Sequence, residues 1–143
     1  MNYLLLERTN DKDIPYILNI YKLPSVSRFV SIDEENYWRY VTDADNVRFY
    51  KVYKDDSLVA VVHLESDRRI LYMSVVVFPD YQRSGIAAEI LKDIIAGKLG
   101  LDFESIRVSI DEKNTASLRL FEKMGFVCTG KDEELMDYEY IKS

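Results

Sequence analysis

The predicted elements run β-α-α-β-β-β-α-β-α-β-β, which makes this chain a mixed α/β domain with helices packed on a central sheet. Three observations predict that class. The apolar period switches repeatedly between helical and alternating spacing along the chain. A stretch rich in β-branched and aromatic residues lies on both sides of "KDDS" and reads as a hairpin. Two helical patterns, "GIAAEILKDIIAGKLG" and "NTASLRLFEKMGF", are separated by the strand-like "SIRVSI".

Taken in order, "YLLLERTN" reads as a first strand. "DKDIPYILNIYKL" follows as a helix, with Ile14, Ile17, Leu18 and Tyr21 at helical spacing and Pro15 near the start, where proline is tolerated. "SIDEENYWRYVTD" opens with Ser31 and Glu34 at capping-box spacing and predicts a second short helix. The hairpin "VRFYKVYKDDSLVAVVHLES" comes next. "RRILYMSVVVF" is a strand whose apolar run predicts burial on both faces. Pro79 ends it, because proline cannot donate to a sheet ladder.

In "GIAAEILKDIIAGKLG", Ile86, Ile90, Leu91, Ile94 and Ile95 form a broad apolar helix face, and Gly97 or Gly100 suits its exit. "NTASLRLFEKMGF" has Asn114 as its cap, Gly125 as its stop and Phe126 as the apolar residue beyond. "VCTGKDEELMDYEYIK" closes the sheet with two more strands. No repeat, low-complexity tract or Pro/Gly/Ser linker interrupts the sequence, so residues 1–143 are expected to form one domain.

Composition bounds the function. The 48% hydrophobic and 13% aromatic content excludes a disordered chain. A net charge of -6 argues against general nucleic-acid binding, because neutralising phosphates needs a basic surface. Acidity fits a cationic substrate, and solubility explains it equally well. Cys128 is the only cysteine, so no internal disulfide or cysteine-based zinc cluster can form, and one histidine leaves little for a metal site. No metal is expected. "MNYLLLERTN" has neither a basic start nor a long apolar stretch, so no signal peptide or membrane span is read there, and a cytoplasmic location is expected.

"FPDYQRSGIAAEIL" stands where a strand hands over to a helix. A helix N-terminus presents unpaired N–H groups and partial positive charge, which suits an anion. Gly85 permits close backbone approach, Ala87 and Ala88 keep the first turn lean, and Gln82 and Arg83 add donors at the rim. These residues fit a pyrophosphate cradle, and they fit a tight turn that binds nothing equally well. GxxxxGK[ST] and GxGxxG are both absent, which disfavours nucleotide triphosphatases and dinucleotide enzymes.

"VFPDYQRSGIA" resembles the V-x-P-x-[YF]-[QR]-x-x-G-x-[GA] segment of the GNAT superfamily of acyl-CoA N-acyltransferases. Some thirty residues on, "NTASLRLFEKMGF" is similar to that family's N-x-x-S-x-x-L-[YF]-E-x-x-G-F helix. The two motifs cover the C-terminal half, while the N-terminal half agrees in element order only. The resemblance implies a single N-acetyltransferase domain with a mostly antiparallel sheet and helices on both faces. It implies that two strands, "YMSVVVF" and "SIRVSI", splay to admit acetyl-CoA as a cosubstrate.

On that resemblance, backbone groups of Val75 and Val77 hold the pantetheine and acetyl carbonyl, and the Val75 N–H stabilises the oxyanion. Gln82, Arg83, Ser84, Gly85, Ile86, Ala87 and Ala88 receive the pyrophosphate. Asn114 bonds the pantetheine, and Ser117 and Phe121 line its thiol end. The reaction implied is direct acyl transfer, most often of acetyl, to an amine in a ternary complex. A small-molecule acceptor is expected, with no nucleic-acid or membrane partner, and a homodimer is left open.

The sequence departs from the family at its acid and base. Many members carry Tyr where this chain has Phe121, which cannot donate a proton. Ser109 and Leu71 stand at strand positions where relatives carry a carboxylate. Substitutes come from alternation: His63 and Glu65 share a strand face and suit amine deprotonation, though a wet polar pair looks the same. Tyr138 and Tyr140 share a face and offer a hydroxyl for the thiolate, and Tyr72 and Ser74 alternate out of the motif strand. Arg28, Glu34, Glu35 and Trp38 offer charge and aromatic surface to an acceptor. Two rivals follow: a non-catalytic acyl-CoA sensing module, and a structural α/β domain whose Gly85 turn is empty.

Overall fold

A computed structural model describes residues 1–29, 32 and 36–142. β1 (Asn2–Leu5) leads into α1 (Ile14–Tyr21), α2 (Pro24–Ser27) and α3 (Tyr37–Asp43). Then follow β2 (Val47–Lys54), β3 (Ser57–Asp67), β4 (Ile70–Val77) and α4 (Ile86–Ile95). β5 (Ser105–Asp111), α5 (Thr115–Lys123), β6 (Val127–Asp132) and β7 (Leu135–Ile141) complete the chain. The strands form one sheet in the order β1-β2-β3-β4-β5-β7-β6. β4 and β5 run parallel, and the other described pairings are antiparallel. The fold is therefore the mixed, mostly antiparallel α/β class that the sequence predicts.

Strand alternation divides the core between the two faces. On one, Ile90, Leu91 and Ile94 of α4 and Phe121 of α5 pack on Leu64, Leu71, Met73, Ile106 and Val108. On the other, Ile17 of α1, Val26 of α2 and Trp38 of α3 pack on Phe49, Val61 and Val76. A buried ion pair fastens the second layer. Lys51 Nζ, on β2, lies 2.9 Å from carboxylate oxygens of both Asp11 and Asp13, just ahead of α1.

Local chemistry explains the turns. Asp55 and Asp56, between β2 and β3, have φ of 51° and 68°, the left-handed pair of a type I′ hairpin. At the end of α5, Phe126 N donates to Phe121 O at 2.9 Å and Gly125 N donates to Glu122 O at 3.1 Å. With Gly125 at φ 94° and the Phe121 and Phe126 rings edge-on at 5.0 Å, this is a Schellman stop with its apolar contact.

Three expectations change. β4 is not buried on both faces: Tyr72 and Ser74 are exposed, because the N-terminal helices cover only the Val76 end of their face. α2 was not predicted, since four residues are too short to show a period. α3 starts at Tyr37, with Asn36 at its cap position and no side-chain cap bond. The Ser31–Glu34 capping box lies outside the described residues, as do Glu34 and Glu35 of the acceptor surface.

Candidate active site

Pairing registers define the site. β3 and β4 stay paired from Asp67–Ile70 to Ala60–Val77, and β5 and β7 from Ser105–Ile141 to Asp111–Leu135. β4 and β5 share only the rungs Ile70–Ser105, Leu71–Ile106 and Tyr72–Arg107. Beyond Tyr72 a wedge opens between them. Phe78 N donates to Val59 O at 2.9 Å, which sets the phase of the β3–β4 ladder. In that phase the even-numbered residues of β4 bond to β3, while the N–H and C=O of Met73, Val75 and Val77 point into the wedge.

A cleft of about 420 Å³ occupies the wedge. Val75 and Val77 line it from β4, and Asn114, Ser117 and Phe121 from the start and inner face of α5. Gln82, Arg83, Gly85, Ile86, Ala87 and Ala88 line its far end. Ser84 does not line it, because its hydroxyl is turned back to donate to the Tyr81 carbonyl.

The loop ahead of α4 is bent for close backbone approach. Arg83 has φ 64° and Gly85 φ 81°, so a non-glycine residue holds a left-handed conformation beside the glycine. Such strain, of order 1–3 kcal/mol, persists where surrounding structure imposes it. Gly85 is the N-cap of α4 and carries no side chain to cap it. Glu89 N donates to Gly85 O, so the N–H groups of Ile86, Ala87 and Ala88 precede the first helical bond and open on the cleft. Gln82 is used differently from the rim donor expected of it. Its Nε2 donates to the Val77 carbonyl at 3.1 Å and latches the end of β4 to the loop.

At the other wall, Asn114 Oδ1 accepts from Ser117 N at 3.3 Å, which caps α5 at the cleft edge. Phe121 is buried against Phe126 and presents a ring with no proton to give. Sequence reasoning missed Ser25, Val26 and Phe29, from α2 and the residues after it, which wall the cleft on the other face of the sheet. Nothing in those residue types announces the role. It also missed Tyr81, Ala116 and Leu120, although all three lie inside the two motif segments.

A sequence model of the acetyltransferase (GNAT) family matches residues 14–126. The chain belongs to the GNAT acetyltransferase family. Solved structures agree in fold. One is a spermidine N-acetyltransferase SpeG chimera from Vibrio cholerae and hSSAT, at 20% identity over 99% of this chain and 96% of that one, with a TM-score of 0.78. A second is Campylobacter jejuni N-acetyltransferase PseH in complex with acetyl coenzyme A, at 12% identity, 99% coverage of both chains and a TM-score of 0.77. A third is a domain from Methanocaldococcus jannaschii, at 16% identity, 98% coverage of both chains and a TM-score of 0.79. No curated protein matches the chain.

In this GNAT acetyltransferase the side chains chosen from sequence for proton transfer do not line the cleft. His63 Nδ1 lies 2.6 Å from Tyr37 Oη, and its ring stacks near Tyr40. Burial lowers the His63 pKa, only partly opposed by Glu65, so the ring is neutral at pH 7. Tyr40 Oη donates to Glu65 Oε1. His63 and Glu65 thus fasten α3 to β3, the non-local contact that alternation alone does not reveal. Tyr138 sits in the core on the α4–α5 face and donates to Glu122 Oε1 at 2.9 Å, and that carboxylate raises the phenol's pKa. Tyr140 packs on Phe126, toward the closed end of the sheet. Among the described residues no group of three or more His, Cys, Asp or Glu side chains could hold a metal ion, and no helix is long and apolar enough to cross a membrane.

Proposed function

We propose that this GNAT acetyltransferase moves the acetyl group of acetyl-CoA to a primary amine of a small-molecule acceptor, by direct attack in a ternary complex. The observation that carries the reading is the parting of β4 from β5. It turns strand amides that would pair in an unbroken sheet toward a cleft that ends on the uncapped first turn of α4.

The residues present fit the cosubstrate. Amides of Ile86, Ala87 and Ala88, with the turned loop at Arg83 and Gly85, suit a diphosphate by dipole and by geometry. The outward N–H and C=O groups of Val75 and the N–H of Val77 suit an amide-bearing arm laid beside β4 as an extra strand. Asn114 and Ser117 offer polar contacts on the opposite wall, and Phe121 closes the thiol end. The Val75 N–H is the group assigned to the oxyanion, where a preorganised donor stabilises developing charge. Holding the thioester and amine together supplies much of the acceleration. The spermidine and PseH N-acetyltransferases of the same fold, one in complex with acetyl coenzyme A, lend support.

A second reading, an acyl-CoA sensor without catalysis, is favoured by one observation: Phe121 brings no hydroxyl to the thiol end of the cleft. One assay separates the two. Acetyl-CoA raises the melting temperature under both, because it binds only the folded state. Amine-dependent release of free CoA is expected of the enzyme and is absent from the sensor. No thermal shift overturns both.

A further inference from the structure

On the face that carries α1–α3, the first rung missing between β4 and β5 would join Ser74 to Ser109, two residues beyond the Tyr72–Arg107 rung. Ser74 lies opposite His63 on β3, and Ser109 lies opposite Asp137 on β7. These four residues form one row across the sheet on the face that carries α1–α3. His63 is covered by α3, whereas Ser74 and Ser109 are exposed and Asp137 is half-buried. The cleft reaches this face, where residues 25, 26 and 29 wall it while α5 lines it from the opposite side; Ser109 and Asp137 stand beside it, outside its lining.

Ser109 Oγ donates to Asp137 Oδ1 at 2.8 Å. Three nearby carboxylates are already committed: Glu139 to Arg107 at 2.8 Å, Glu65 to Tyr40, and Glu112 to Lys131. Asp137 has no ion-pair partner among the described residues. The charged groups facing it are the Arg107–Glu139 pair one row toward the closed end, Asp111 toward the open end, and His63 across the wedge. β6 presents Gly130 opposite it, and Asp132 on the same face one row on, across Leu135 from Asp111.

We propose that Asp137, positioned by Ser109, receives the ammonium group of the acceptor at this lip of the wedge and takes its proton. The inference rests on the acetyl-transfer reading above. The ammonium N–H bond breaks and its proton passes to the Asp137 carboxylate. The freed nitrogen lone pair then forms a C–N bond to the thioester carbonyl carbon, and the C–S bond breaks. The second nitrogen proton leaves to the thiolate through water, giving amide and free CoA thiol. Asp137 returns its proton to solvent on the open face. The acceptor class is accordingly a primary amine that is cationic at neutral pH.

The test uses the full chain, acetyl-CoA and a panel of butylamine, a diaminoalkane, benzylamine and a lysine peptide. Asp137→Asn keeps the shape and removes the base. Its acetyl-CoA affinity by calorimetry is expected unchanged, while kcat/KM for the accepted amine falls by about 10²–10⁴ at neutral pH. The deficit narrows toward about pH 10, where amines shed the proton unaided. Ser109→Ala lowers kcat/KM less, and Ser109→Thr, which keeps the hydroxyl, restores it. That pair decides the matter should the Asn variant fail to fold, and equal rates for Ala and Thr overturn the proposal. Wild-type kcat/KM in Asp137→Asn, or a deficit constant with pH, also overturns it. Wild-type protein that binds acetyl-CoA but releases no CoA with any amine overturns this proposal and leaves cofactor binding standing. Wild-type protein that does not bind acetyl-CoA overturns both.

Discussion

Tyr72 on β4 and Arg107 on β5 are the last residues to face each other before the two strands part, although each strand keeps its other neighbour to its end. The wedge is therefore built into the hydrogen-bond pattern of the sheet. Its walls are the parts of the chain with the clearest local signatures, the turned loop before α4 and the capped start of α5.

Gly85 tests the far end of the cleft. A Cβ built there meets no heavy atom within 4 Å, so an added side chain faces space, at a φ of 81° that L residues rarely adopt. Gly85→Ala should cost about 1 kcal/mol through backbone strain and still show a rise in melting temperature with acetyl-CoA. Gly85→Glu adds bulk and negative charge and should show no rise. A ligand-induced shift in Gly85→Glu equal to wild type would remove the diphosphate from this loop.

Phe121 tests proton supply to the leaving thiolate. Phe121→Tyr places a phenol at the thiol end and is expected to raise kcat for amine acetylation while acetyl-CoA affinity holds. Steady-state kinetics beside calorimetry reads both quantities. An unchanged kcat would mean that solvent or another group already protonates the sulfur.

Lys51 tests the fold rather than the site. Its side chain is 7% exposed and stands between Asp11 and Asp13, at 15% and 20%. Burial disfavours the Lys51 charge, but the two carboxylates more than reverse that and raise its pKa. Lys51→Ala leaves both carboxylates facing the α1 layer without a cation and should cost about 3 kcal/mol, the low end for a broken buried pair. Urea unfolding measures it. A loss below about 1 kcal/mol, typical of exposed pairs, would contradict this network's role.

His63 predicts an acid-side loss of stability. Burial lowers its pKa below the ordinary 6.5, so the folded ring binds a proton less readily than the unfolded one. Unfolding takes up protons as pH falls, and the stability present above 6.5 should decline below it. His63→Gln should flatten that decline in urea unfolding between neutral and mildly acidic pH. An equally steep decline in the variant would assign the effect elsewhere.

The fold was largely legible because its punctuation is local. Asp55–Asp56, Pro79, Gly85, Asn114 and Gly125 each act within a few residues of themselves, through φ, a missing N–H or a cap. What the sequence did not reveal is non-local. Nothing near Val26 or Phe29 says that they wall a cleft, and nothing near His63 says that Tyr37 and Tyr40 cover it. Alternation put His63 and Glu65 correctly on one face but could not tell which helix lies over that face. The same blindness hid Asp137: Ser109 stood out as a missing carboxylate, and the acid opposite it emerges only from the β5–β7 register.

The most direct test of the account is a crystal structure with acetyl-CoA bound. The pantetheine arm is expected beside β4, the thioester carbonyl oxygen within hydrogen-bonding distance of Val75 N, and the diphosphate on the amides that open α4. A sheet with β4 and β5 paired beyond Tyr72, or a cofactor seated away from that wedge, would contradict it.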